Sequence, residues 1–400
     1  MLECLVAVLC LAAAPAGNWP AFRGAGDSVS QATTLPLKWS ETDGIAWRSG
    51  LTGYGQSSPV VWHNRVFVTT VDGPQKERAV LACVDLASGE ALWQDELKSA
   101  QTAEVTDYIS RAAPTPAVDG KRVYAFFETG NLAAWTHDGE RLWERNLVEE
   151  YGPFTGNHGV GSSIALTDRA VIVLVDHSGP SYLLAIDKAS GETVWKVDRP
   201  DTVAWSSPIA TDDGRIVVSA NGRCEAFDPE SGKQLWKRAG IEGNTVPSAT
   251  VSGDLVIVGS KEVGSNLAIR VPADPKVPET TIAWKSSDAT ATFSSPLVYN
   301  GHVYLVNRTG VAFCLNEQTG ETVWKQRIGG SCWASPLGAC GRVYFFEKSG
   351  TTTVMSADGT PDVLAENLLP TEDRVYGVAA VEGRFVIRLG SELICIEGTD

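Results

Sequence analysis

One phrase recurs along this chain, and it limits the possible folds more than any other feature. At 185–195 it reads Ala185-Ile186-Asp187-Lys188-Ala189-Ser190-Gly191-Glu192-Thr193-Val194-Trp195. At 226–236 it reads Ala226-Phe227-Asp228-Pro229-Glu230-Ser231-Gly232-Lys233-Gln234-Leu235-Trp236. The shared form is Ala-x-Asp-x-x-x-Gly-x-x-x-Trp. Weaker copies run from Asp85 through Gly89 to Trp93, from Asn316 through Gly320 to Trp324 and, one residue shorter, from Ala134 through Gly139 to Trp143. Trp47 and Trp284 end copies whose first halves are missing or altered. Successive tryptophans stand 46, 50, 52, 41, 48 and 40 residues apart. A period of roughly 40–50 residues is that of a four-stranded propeller blade.

Each part of the phrase has a physical task. The residues before Asp alternate and end a strand. Asp or Asn closes its own turn by accepting backbone N–H groups two residues on. Gly takes the positive φ that a tight hairpin needs. The Trp on the following strand buries roughly 150–250 Å². Trp47, Trp93, Trp143, Trp195, Trp236, Trp284 and Trp324 are therefore expected to dock one blade on the next.

A second phrase precedes each copy: Ser57-Ser58-Pro59, Thr115-Pro116, Ser206-Ser207-Pro208, Ser294-Ser295-Pro296 and Ser335-Pro336, with degraded forms at Ser162-Ser163-Ile164, Pro247-Ser248-Ala249 and Gly377-Val378-Ala379. Each is followed by a turn and a β-branched or aromatic run such as Arg65-Val66-Phe67-Val68 or Arg342-Val343-Tyr344-Phe345. Short alternating strands with regular turns read as all-β. The expected fold is an eight-bladed β-propeller of four-stranded antiparallel blades, with strands A to D running from the channel outward. The first tryptophan phrase has no strands A to C before it, and the last unit, 375–396, has no strand D. The strand carrying Trp47 is thus expected to complete the C-terminal blade, which removes both free sheet edges.

The domain reading is a signal peptide at 1–16, an N-terminal extension at 17–40 and one propeller domain at 41–397. The apolar run Leu5 to Ala12 followed by Ala14-Pro15-Ala16 fits an exported leader, although its start carries Glu3 and no basic residue. That run is too short to span a bilayer. Export to a periplasmic or other extracytoplasmic compartment follows. The irregular stretches 98–112, 149–161 and 271–281 read as loops. A formal charge of −15 argues against nucleic acid and anionic membrane surfaces as partners. Of eight cysteines, Cys83, Cys314 and Cys395 occupy positions that hold Ala in sister copies and read as small buried hydrophobes. Cys332 and Cys340 bracket one strand A and are too far apart along an extended chain to pair.

The tryptophan phrase resembles the docking phrase of the pyrroloquinoline-quinone (PQQ)-like β-propeller family over about residues 40–397. The segment Asn18-Trp19-Pro20-x-Phe22-Arg23-Gly24 is similar to the start of bacterial secreted members of that group. The resemblance implies either of two activities, because the family includes quinoprotein alcohol and glucose dehydrogenases and also the non-catalytic propeller lipoprotein of the outer-membrane β-barrel assembly machinery. The dehydrogenases carry a vicinal Cys-Cys pair, a catalytic Asp and Glu/Asn/Asp ligands for Ca²⁺. This chain has no Cys-Cys, and no run matches the catalytic or metal motifs, so no catalytic residue is assigned.

The loop from strand D into the next strand A forms one channel mouth, the default place for a ligand. Trp205, Phe293 and Trp333 occupy the third position before the Pro of the second phrase. Tyr54, Asp107, Tyr108, Arg111, Asn157, His158, Glu372, Asp373, Arg374 and Tyr376 lie near it. Arg111, His158, Trp205, Phe293, Trp333 and Tyr376 are the candidate binding residues. Arg suits a carboxylate, and Asp or Glu with Asn157 supplies hard oxygens for Ca²⁺. The leading reading is a non-catalytic binding or scaffold module of the cell envelope, a monomer whose mouth meets an envelope protein, a small molecule or a carbohydrate. The alternatives are a PQQ- and Ca²⁺-dependent dehydrogenase and a sugar binder that stacks its ligand on the three aromatics.

Overall fold

A computed structural model describes residues 17–106, 109–274 and 277–398. The expected leader and the mouth residues Asp107 and Tyr108 lie outside the described residues. The described chain forms eight four-stranded antiparallel sheets. Blade 1 runs through Val60–Trp62, Arg65–Asp72, Arg78–Asp85 and Ala91–Lys98. Blades 2 to 7 repeat this meander from Ala117, Ala165, Ile209, Thr250, Leu297 and Leu337. Blade 8 takes strands A to C from Val375–Val381, Arg384–Leu389 and Glu392–Glu397, and its strand D is Ile45–Gly50 from the N-terminal side. Trp47 pairs with Cys395 in that closing ladder. The ring is closed as the repeat arithmetic requires.

Burial follows position in the blade. Strands B and C are almost wholly buried, as in Val66–Val71 and Ala79–Val84. Strands D alternate, as in Ala91–Lys98, because one of their edges faces solvent. The stretch read as a loop at 149–161 begins with one helical turn, Leu147–Tyr151, capped by the Asn146 side chain accepting from the Glu149 amide. That turn is too short to show a helical period in sequence.

The tryptophan phrase acts across blades. Asp85, Asp187 and Asp228 each accept two backbone amides of their own turn, and Asn316 does the same. The turn glycines Gly89, Gly191, Gly232 and Gly320 have φ between +69° and +75°. A Cβ there would lie 2.4–2.8 Å from the ring of Trp47, Trp143, Trp195 and Trp284 respectively. The glycine is thus required twice, for its φ and for the tryptophan of the preceding blade that lies on it. The same indoles donate Nε1–H to carbonyls of the next blade's turn, from Trp47 to Leu86, Trp93 to His137, Trp143 to Lys188, Trp195 to Pro229 and Trp284 to Glu317. Among the described residues, Trp236 and Trp324 are the docking indoles without an Nε1 acceptor. They face blades 5 and 7, whose turns depart from the phrase.

Opposite each tryptophan the chain places a small residue. Cys83 faces Trp93, Ala134 Trp143, Ala185 Trp195, Ala226 Trp236, Ala268 Trp284, Cys314 Trp324 and Cys395 Trp47. Blade 7 inverts the pair, with Val354 facing Ala365. The missing indole is replaced from outside the blade by Trp39 of the extension. Its ring lies 5.7 Å from Phe385, its amide donates to Asn367 Oδ1, and Gly44 packs on it where the chain enters the closing strand.

The second phrase builds a belt around the channel. The amide at each position before its Pro donates to the hydroxyl at the same position in the next blade. The chain of bonds runs Ser58 to Thr115, Ser163, Ser207, Ser248, Ser295 and Ser335, at 2.8–3.0 Å. Gly377 occupies the eighth position and has no hydroxyl to offer. These hydroxyls, all buried except the half-buried Ser335, are acceptors of the scaffold.

Candidate functional site

The two ends of the channel differ. At the end of the A–B turns, the extension crosses the bore and fills it. Trp19 exchanges both backbone bonds with Val61 of blade 1, and the Val118 amide of blade 2 donates to the Pro20 carbonyl. Ser28 and Ser30 bracket Gly338 of blade 7, and the Ser30 hydroxyl donates to the Ala380 carbonyl of blade 8. Arg23 is buried and donates to Ser28, to the Ala249 and Pro296 carbonyls and to the Thr250 hydroxyl. Burial lowers its pKa to about 10, with Asp27 opposing the shift. The guanidinium therefore stays charged at neutral pH and staples blades 5 and 6 from inside. The Asn18-Trp19-Pro20 segment, which in sequence only resembles the start of family members, is the plug.

The opposite mouth, formed by the D–A loops, remains open. Phe293, Trp333, Tyr376 and Tyr54 form a continuous aromatic run there, with successive ring centroids 6.0, 5.6 and 6.1 Å apart. Three cations lie against it. The Arg111 guanidinium carbon stands 3.5 Å from the Tyr54 centroid, the Arg374 carbon 5.2 Å from Trp333, and Lys348 Nζ 5.8 Å from Trp333. Such contacts favour cation over ring and hold long side chains in place. Phe293, at the outer end of the run, is exposed.

Beneath the run lies a hydrogen-bonded knot. Tyr54 donates to Asp373 Oδ1 at 2.7 Å and lies 2.7 Å from the Tyr376 hydroxyl. Burial, reinforced by the bonds to Tyr376 and Asp373, raises the Tyr54 phenol well above its ordinary value, so it stays a donor. Arg388 is fully buried below and donates to the Gly55 and Gly390 carbonyls. Burial lowers it to about 9, opposed by Tyr54 and Asp373. Among the described residues its Nη1 and the Nε of Arg111 have no hydrogen-bond partner. Around this mouth Arg111, Arg374 and Lys348 lie against the rings, and Arg388 lies beneath, near Asp373.

The six candidate residues divide into two groups. Arg111, Phe293, Trp333 and Tyr376 belong to the aromatic run. His158 and Trp205 form a separate pair, with centroids 5.8 Å apart and the Trp205 indole bonded to the Gly159 carbonyl. Trp205 is also held by its amide to Thr245 O, so it wedges the Gly-rich loop 156–161 against blade 4. Lys348 and Arg388 were not legible in the sequence, since neither lies in a D–A loop.

The described residues do not assemble a quinone–calcium centre. Among the described residues no three His, Cys, Asp or Glu side chains converge as a metal set. Asp373 is committed to Tyr54 and to the Arg374 amide. A narrow space between plug and mouth is bounded by Arg23, Ser58, Trp333 and Tyr376. The six cysteines among the described residues are all free thiols. No helix among the described residues is long and apolar enough to cross a membrane.

Comparison with known proteins gives one family. The sequence profile described as outer membrane protein assembly factor BamB matches residues 28–153, 136–280 and 277–362. The BamB of Yersinia pestis is 24% identical over 312 residues, which is 70% of this chain and 77% of that protein. The BamB of Alteromonas naphthalenivorans is 26% identical over 253 residues, and there the match spans 56% of this chain and only 57% of the relative. Among solved structures, BamB from Moraxella catarrhalis superimposes with a TM-score of 0.67 at 14% identity, covering 88% of this chain and 99% of that one. A quinohemoprotein alcohol dehydrogenase from Comamonas testosteroni superimposes with a TM-score of 0.69 at 13% identity, covering 97% and 82%. At these identities the structural likenesses speak to fold alone.

Proposed function

The chain belongs to the outer membrane protein assembly factor BamB family, and from that premise we propose that it is a non-catalytic binding module of the cell envelope that serves outer membrane protein assembly. Its docking surface is the open mouth, and its partner is a protein segment rather than a cofactor. The observation that carries this reading is the aromatic run from Phe293 to Tyr54 with Arg111, Arg374 and Lys348 laid against it. Aromatic and arginine side chains clustered at an opening are the usual anchors of protein interfaces. The plug at the other end leaves a shallow bowl suited to a loop or strand. The cations Arg374 and Lys348, laid against Trp333, favour an acidic residue in that segment. The proposed setting is periplasmic, with the leader removed.

The test is genetic and biochemical. Deleting the gene should lower the amount of folded outer membrane protein in the cell of origin. Wild type should restore it, and the double variant Phe293→Ala/Trp333→Ala should not, while melting as the wild type does. Unchanged outer membrane protein levels in the deletion strain would reject the assembly role. Full rescue by the double variant would reject the mouth as the docking surface.

A further inference from the structure

Strand D of blade 7, Val363–Leu368, departs from its seven counterparts. The outermost strand of a blade leaves every second backbone N–H and C=O unpaired, which makes it a template for another chain. Among the described residues no strand lies beyond Val363–Leu368. The other seven outer strands each present an exposed Lys or Arg, as with Lys98, Lys196, Lys325 and Arg48. A cation at an edge discourages pairing with a further strand. Val363-Leu364-Ala365-Glu366-Asn367-Leu368 has neither Lys nor Arg. It exposes Val363, Leu364 and Leu368 instead, and no other strand among the described residues exposes more than one large hydrophobic side chain.

This edge is also ordered. Burial along the strand runs exposed, exposed, buried, exposed, buried, exposed. Ala365 and Asn367 turn inward. The Asn367 side chain accepts from the Trp39 amide and donates to the Leu37 carbonyl, so the extension holds the strand from behind. A β-bulge at the start of the strand lets Val363 and Leu364 both face outward. Glu366, the one charged residue of the strand, stands between Leu364 and Leu368 on the same outward face.

The order of residues on that face selects the occupant. Suppose a second copy pairs antiparallel about a two-fold axis. The register that sets Leu364 against Leu368 then sets Glu366 against itself, and like charges directly opposite destabilise a ladder. Sliding the copies by one pair sets a leucine against Glu366 and forfeits the apolar contacts. The edge thus opposes its own copy. A foreign strand with a cation opposite Glu366 and apolar residues two places to either side satisfies charge and apolar surface together.

We propose that the outer edge of blade 7 is a β-augmentation site for an extended segment of a partner protein, in which a basic residue stands between apolar residues at alternate positions. Backbone bonds to Val363–Leu368 supply the affinity, and the face of Leu364, Glu366 and Leu368 supplies the selectivity. The site lies on the rim of the ring. It shares no residue with the aromatic run and does not rest on the role of the mouth.

The probe is a blocked, fluorescein-labelled peptide in which threonine alternates with leucine, lysine and valine, in that order. Anisotropy with the purified full chain should show saturable binding. Glutamate in place of the lysine should weaken it about fivefold or more. Proline in place of the two threonines beside the lysine removes ladder donors and should abolish it. Glu366→Lys should reverse the preference, so that the glutamate peptide binds better. Leu368→Lys gives this edge the cation of the other blades. It should weaken binding about fivefold or more at an unchanged Tm. Phe293→Ala/Trp333→Ala should bind the peptide as the wild type does. Hydrogen exchange of the amides at 363–368 should slow when peptide is added. The proposal is overturned if binding does not saturate, if the proline peptide binds equally well, if Glu366→Lys keeps the wild-type preference, or if exchange at 363–368 is unchanged. Loss of binding in Phe293→Ala/Trp333→Ala also overturns it, because the peptide would then sit at the mouth. A dimer in sedimentation that Leu368→Lys dissolves overturns it too, because the edge would then belong to a second copy.

Discussion

Gly377 and Ser58 meet where the last blade closes on the first: a Cβ on Gly377 would stand 2.0 Å from Ser58 Oγ and 2.7 Å from its Cα. From blade 1 to blade 7 a hydroxyl spans each of the six joints. At the closing joint the backbones come too close for any side chain, so the gap in the belt results from tight closure. Gly377→Ala should therefore destabilise the ring by about 1–3 kcal/mol through overpacking, read from denaturant midpoints. Ser207→Ala, which removes one belt acceptor and inserts nothing, should cost about 1–3 kcal/mol for the unsatisfied Ser163 amide. A Gly377→Ala variant as stable as wild type would refute the close approach.

Trp39 does the work of the tryptophan that blade 7 lacks. Trp39→Ala should cost about 3–5 kcal/mol, in the range of a core indole, although the residue lies outside the repeats. Removing residues 41–50 should go further, since it strips strand D from blade 8 and exposes the edge of Glu392–Glu397. Aggregation on size exclusion is the expected result, and a monodisperse deletion variant with unchanged Tm would contradict closure by this strand.

Blades 3 and 4 share a buried ionic knot. Arg199 binds Asp176 at 2.7 and 3.1 Å and Glu225 at 3.0 Å, and Arg223 joins Glu225 at 2.8 Å. Removing one partner leaves an uncompensated buried charge, which typically costs about 3–5 kcal/mol. Asp176→Asn should show a loss of that order. Exchanging Glu150, which pairs with Arg145 near the surface, should cost about 1 kcal/mol or less.

His177 predicts a pH dependence. Burial lowers its pKa below 6.5, partly opposed by the backbone contacts to Thr155 and Pro180 and by Asp201 and Asp176. In the unfolded chain the imidazole gains its proton near its ordinary value, whereas the folded state resists until a lower pH. The unfolded state thus binds more protons in that window, and stability falls as pH drops from about 6.5 towards the folded value. Melting curves across that window should show a steeper acid loss for wild type than for His177→Asn. Equal slopes would show that the group does not titrate differently on folding.

The repeat phrase by itself determined the architecture. Turn-closing Asp, positive-φ Gly and packed Trp are local devices with a fixed period, so their number, and the missing halves at the two ends, are enough to count eight blades and close the ring. The Ala or Cys opposite each Trp was also legible as a small position. The site was only half legible. Aligning on the Pro of the second phrase found Phe293 and Trp333, and the nearby loop residues supplied Arg111 and Tyr376, because D–A loops converge on one mouth in any propeller. The tertiary structure alone decided the rest. It separated Trp205 and His158 from that run, brought Lys348 and Arg388 to it from other loops and strands, and turned the Asn18–Gly24 segment into a plug. The physical reason is that a period specifies contacts repeated at equal spacing, whereas a plug and a mouth are made of contacts that occur once, between residues far apart in sequence.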